Sequence, residues 1–176
     1  FGPGVHRIGA RVPVRSGQTI YIAGGAWVEG TFYANGVRDV VIKGRGVMSG
    51  LFNDTGNQDL NKDQPGMIDL LNAENVLVEG ITFVDAPRFN VRVLGQYVTL
   101  RNLKVISWWY STDGLWGGRY SLLEDNFVKV NDDAIKLNWG ENVARRNVVW
   151  QLENGGPFHI SWNSTRAGAN HHAYDN

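Results

Sequence analysis

The chain repeats itself about every 22 residues, and few architectures tolerate such a step. The segments Val76–Phe83, Val98–Val105, Ser121–Val128 and Val143–Val149 share one pattern: alternating apolar residues, a charged residue, then Gly, Asn or Asp, then more apolar residues. The small or amide position falls at Gly80, Asn102, Asp125 and Asn147, in steps of 22, 23 and 22. An earlier copy, Val40–Val47, puts Gly44 36 residues before Gly80. The surplus fits an insertion over 52–66, whose Asn, Asp, Gln, Lys and Pro residues read as a long loop.

The repeated segments are short, rich in β-branched residues and of period two, which predicts strands. At ~3.3 Å per residue, one repeat makes two or three short strands and their turns. That is one coil of a right-handed parallel β-helix, all-β throughout. A coil cannot bury its apolar side alone, so coils stack on a shared core. Asn or Gly at a fixed position suits a left-handed turn, with Asn side chains stacking as a ladder. An antiparallel sandwich explains the strands but not the constant step. Residues 1–176 therefore read as a single β-helix domain. The start at Phe1 and the lack of a closing cap after Trp162 read as a fragment of a larger enzyme.

Composition removes several function classes. Lys plus Arg and Asp plus Glu are both 17, so formal net charge is zero. No basic stripe suggests a nucleic-acid partner. Cysteine is absent, which excludes a disulfide scaffold and thiol-based metal or redox chemistry. No apolar run approaches the ~20 residues of a membrane helix. The expectation is a monomer without cofactor or membrane partner.

The densest chemistry lies between Trp108 and Leu137. Asp113, in Ser111-Thr112-Asp113-Gly114, precedes Asp132 and Asp133 by 19 and 20 residues. That is slightly under one coil, so the carboxylates belong to neighbouring coils, ~4.8 Å apart. Asp113 must then come from a loop or bulge beside the strand. Like charges this close raise at least one pKa and titrate as a unit. Glycoside hydrolysis needs this: one protonated carboxyl for the leaving oxygen and one carboxylate for water or sugar. Each motif alone is also a common turn former. A calcium site is a further reading, but the spacing of a known calcium loop is missing, so no metal is expected.

Six of the seven Trp residues follow residue 107. Flat rings bury the apolar faces of sugars while polar edges bind hydroxyls. Trp109, Tyr110, Trp116, Trp139 and Trp162 are candidate sugar contacts, with Asn131, Lys136 and His159 as polar ones. Trp150, in the run Val148-Val149-Trp150, reads as structural. Lys136 and Arg119 are read as the cations of the cluster. An acidic polymer would call for several such groups, so the composition leans toward a neutral polysaccharide.

A β-helix with Ser-Thr-Asp-Gly at 111–114 and Asn-Asp-Asp at 131–133 resembles the pectinase-like glycoside hydrolase clan, which includes polygalacturonases of family 28 and the dextranases and isopullulanases of family 49. Asp-Asp-Ala-Ile-Lys-Leu at 132–137 and Phe-His-Ile-Ser-Trp-Asn at 158–163 look more like family 49. The Gly-His-Gly of polygalacturonases has no counterpart, because His159 is flanked by Phe158 and Ile160. The resemblance implies a secreted, inverting hydrolase without metal, acting on a neutral α-glucan such as dextran. It assigns Asp132 as general acid, and Asp113 and Asp133 as the residues that position and activate water. A pectin hydrolase and a non-catalytic carbohydrate-binding β-helix are the alternatives.

Overall fold

The computed structural model describes residues 1–51, 66–160 and 170–176. The inserted loop, except Gly66, and Trp162 lie outside the described residues. All strand pairings are parallel, and no helix occurs among the described residues. The strands run β1 (Gly4–Pro13), β2 (Thr19–Ile22), β3 (Ala26–Asn35), β4 (Arg38–Gly44), β5 (Val47–Ser49) and β6 (Ile68–Glu79). Next come β7 (Thr82–Val84), β8 (Val91–Arg101), β9 (Lys104–Ile106), β10 (Leu115–Arg119), β11 (Leu122–Glu124) and β12 (Phe127–Val130). The chain closes with β13 (Ile135–Leu137), β14 (Asn142–Arg145), β15 (Val148–Gln151), β16 (Phe158–Ile160) and β17 (His171–Tyr174).

They wind into a parallel β-solenoid of about six turns, with about 22 residues per turn. Three faces result. The first stacks the starts of β1 and β3 with β5, β7, β9, β12 and β15. The second stacks the ends of β1 and β3, the starts of β6 and β8, then β10, β13 and β16. The third runs β2, β4, the ends of β6 and β8, β11, β14 and β17.

Period-two alternation sends apolar columns inward, and one can be followed along each of two faces. On the second face it is Phe32, Ile68, Val91, Leu115 and Ile135. On the third it is Ile20, Ile42, Val78, Leu100, Leu123 and Ala144. Burying each larger side chain contributes about 1.5–3 kcal/mol. The same alternation explains Trp150: Val149 points in, while Val148 and Trp150 point out and are 60% and 56% exposed. Trp150 is therefore a surface residue, with the Lys129 ammonium 4.1 Å from its ring, rather than the structural residue expected from its apolar run.

The 22-residue step is a corner rule. Gly44, Gly80, Asn102, Asp125 and Arg146 all have left-handed φ where the third face turns into the first. A Cβ at Gly44 would stand 1.8 Å from the Ile22 carbonyl oxygen, so only glycine fits there. The last member is Arg146, one residue before the expected Asn147. Asn147 instead points inward. It accepts at Oδ1 from Asn126 Nδ2 at 2.9 Å and donates to Asn176 Oδ1 at 2.8 Å. An internal Asn ladder thus exists, displaced by one residue from the turn column. Upstream the same interior position is held by Ile81 and Leu103, both buried.

Candidate active site

The outward-pointing side chains of the second face form a row: Asp69, Arg92, Trp116, Lys136 and His159, each in register with the next. Turns from the first face to the second run beside it, and these carry the acids. Asp113 and Asp133 occupy equivalent places just before β10 and β13. Their backbones are tied across the coils, with Gly114 N donating to Asp133 O at 2.9 Å. Asp113 is thus a turn residue beside the strand, as its spacing requires. Asp132 and Asp133 fall in the bend between β12 and β13, so the strand rule that would send neighbours to opposite sides does not apply to them.

Asp113 is 4% exposed. Burial pushes its carboxyl up to about 6; Lys136 opposes this, and the charges of Asp132 and Asp133 add to it. Burial also raises Asp133. The hydrogen bond and charge of Lys136, then His159 and the Gly156 N–H, outweigh burial and hold Asp133 below the usual range. Lys136 Nζ bridges the pair, contacting Asp113 Oδ2 and lying 3.0 Å from Asp133 Oδ2. His159 Nδ1 is 2.6 Å from Asp133 Oδ2. Asp132 is held differently. Its Oδ1 accepts from Asp133 N at 2.8 Å and its Oδ2 from Asn154 Nδ2 at 3.1 Å. Asp113 and Asp133 are thus held on opposite sides of the ordinary carboxylate range, beside a third carboxyl.

The segment from Gln151 to Gly156 is a supporting element absent from the sequence expectations. Gln151 Nε2 donates to Asp132 O at 2.9 Å, and Gly156 N donates to Asp133 Oδ1 at 3.1 Å. Gly155 has φ +73°, and a Cβ there would meet Asp133 N at 2.4 Å. Asn154-Gly155-Gly156 follows Asn131-Asp132-Asp133 by 23 residues, so the repeat step was the signal that could have found it.

The expected sugar contacts separate into groups. Trp116 sits in the row beside the acids, with Lys136 Nζ 4.6 Å from its ring and Phe89 packed edge-on at 5.6 Å. Trp109 and Tyr110 lie exposed on the turn that carries Asp113. The Tyr110 hydroxyl donates to Glu153 Oε2 at 3.0 Å. Trp139 takes a left-handed turn after β13, φ 59°. Asn131 is buried and tied to backbone: its Nδ2 donates to Trp108 O, and its Oδ1 accepts from Asn154 N.

The cations differ from the sequence reading. Arg119 stacks over Tyr120 at the far end of β10, away from the acids. Arg92 and Arg88 come to the row instead, both over the Phe89 ring at 4.5 and 4.7 Å. Arg92 is bidentate to Asp69, at 2.8 and 2.6 Å.

No family model matches the chain. Two dextranases do, from Arthrobacter sp. (strain CB-8) and Arthrobacter globiformis, each 25% identical over 92% of the chain. The chain is a distant homologue of these dextranases. It spans 29% of their length. Its fold is also that of Dex49A from Penicillium minioluteum, with a TM-score of 0.76 at 21% identity over 92% of this chain and 33% of that one. An exopolygalacturonase from Thermotoga maritima superposes with a TM-score of 0.76 at 16% identity, over 100% of this chain and 57% of that one. The chain therefore shares the parallel β-helix fold of both solved enzymes.

Proposed function

We propose that this dextranase homologue is a secreted glycoside hydrolase that cleaves a neutral α-glucan of the dextran type by inversion. The observation that carries this reading is the convergence of Asp113 and Asp133 from neighbouring coils, with Asp132 within electrostatic reach. In the mechanism, Asp132 protonates the departing glycosidic oxygen, while Asp113 and Asp133 orient and deprotonate the attacking water. Asp132 stands outside the Lys136 bridge, its Oδ1 held by Asp133 N and its Oδ2 by Asn154 Nδ2. Trp109, exposed on the turn that carries Asp113, offers a ring face to the sugar.

A neutral substrate agrees with the charge of the row. Arg92 is neutralised by Asp69, and Lys136 by Asp113 and Asp133. Neither cation is left over for a polyuronate.

Reducing-sugar release from dextran, polygalacturonate and a mixed glucan panel tests the reading. Dextran should be the substrate turned over, and Asp132→Asn should abolish release while circular dichroism stays β-type. Cleavage of polygalacturonate in preference would replace dextran with pectin. Glycan binding without turnover, unaffected by Asp132→Asn, would leave a non-catalytic binding solenoid.

A further inference from the structure

Lys136 is drawn to the acids by more than chance packing. It is 8% exposed, on the central strand of three: β13 pairs with β10 on one side and β16 on the other. An ammonium has three N–H donors and no acceptor. Asp113 takes one direction and Asp133 a second, and the Trp116 ring lies 4.6 Å away. With those directions occupied inside the protein, the ammonium is poorly placed to reach a sugar hydroxyl. Its two carboxylates come from different coils, 20 residues apart, and would repel each other across the gap between them.

We propose that Lys136 is the fixed counterion of the Asp113–Asp133 pair, a positioning residue that joins two coils at the reacting centre rather than a contact to the glycan. The titratable groups facing the pair are Asp132 from the same bend and His159 from β16. Beyond Trp116 on β10, the row continues with Arg92 on β8 and Asp69 on β6, which neutralise each other. Lys136 is thus the positive charge bound to both carboxylates at once. An opposite charge at this range lowers a carboxylate pKa by roughly 1–3 units. Removing Lys136 therefore raises both carboxyls, and the ionised base forms only at higher pH.

The kinetic half of the test rests on the glycosidase reading; the titration half does not. In the full chain labelled with carboxyl-¹³C aspartate, Asp113 and Asp133 are titrated by NMR in wild type, Lys136→Met, Lys136→Gln and Lys136→Arg. Both neutral variants should raise the two titrations by roughly 1–3 units, and Lys136→Arg should return them toward wild type. On dextran, the acidic limb of kcat/KM should move up in parallel, costing about tenfold per unit on that limb, with KM little changed. Unmoved titrations in a folded neutral variant would overturn the proposal, as would a raised KM with the pH profile intact. If Lys136→Met does not fold, Lys136→Gln, which keeps a polar head without charge, carries the same prediction. Shifted titrations in a chain that cleaves no glycan would retain the counterion and remove the hydrolase.

Discussion

Two ion-pair sites occupy the same row of the second face, on either side of Trp116. At Asp69–Arg92 one carboxylate meets one guanidinium, both oxygens are used, and the charges cancel. At Asp113–Lys136–Asp133 one ammonium serves two carboxylates, with Asp132 nearby. The first arrangement is closed and stabilises the face. The second keeps a surplus of negative charge in a buried place, which costs stability and makes proton chemistry possible. A matched pair has no proton to give; a mismatched cluster does.

The largest separation between the two should appear in turnover. Asp113→Asn should lower kcat on dextran by about 10²–10⁴-fold, the usual contribution of a positioned acid or base. Asp69→Asn should change kcat by less than about threefold. Equal losses at both positions would erase the distinction. Stability should reverse the ranking. Asp69→Asn strands a largely buried Arg92 and should cost about 3 kcal/mol in urea unfolding, the low end for a broken buried pair because Arg92 keeps some solvent.

The pH dependence is signed. Folded Asp113 titrates at about 6, above its ordinary 3.8, so between those values the unfolded chain holds fewer protons than the native one. Stability from this group is constant below about 3.8, falls as pH rises toward 6, and then levels off. Asp133, held below the ordinary range, acts in the opposite sense, losing its contribution as pH falls below that range. Replacing Asp113 by Asn removes only the first effect. The melting temperature of Asp113→Asn relative to wild type should therefore improve between pH 4 and pH 7, measured by calorimetry. A gap that does not change with pH would mean that Asp113 is not buried with a raised pKa.

The smallest effect is the coupling between the sites. Trp116 has Arg92 5.7 Å from its ring on one side and Lys136 4.6 Å away on the other. A double-mutant cycle of Asp69→Asn with Asp113→Asn should give an interaction energy of about 0.5–1 kcal/mol, reduced when Trp116 is replaced by Leu. Strict additivity would make the two sites independent.

Much of this was legible in the residues because a solenoid turns sequence spacing into distance. The step near 22 predicted the parallel stacking, and the intervals of 19 and 20 put Asp113 on the coil next to Asp132 and Asp133. The same logic missed Arg92. It precedes Trp116 by 24 residues, and no local motif marks it, so nothing in its surroundings set it apart from other surface cations. The assignment of Asn147 to the turn failed for a related reason. Arg146 takes the left-handed turn, a conformation that residue type does not advertise, and this moves Asn147 into the interior ladder.

The sequence by itself determined the class of fold and the coil on which each acid sits, because alternation and repeat length are properties of the chain alone. Only the tertiary structure decided which charges cancel. Pairing Arg92 with Asp69, and Lys136 with two aspartates, depends on side-chain reach across coils. Burial then pushes Asp113 up while Lys136, His159 and the Gly156 N–H hold Asp133 down, since desolvation and neighbouring charge exist only once the coils are stacked.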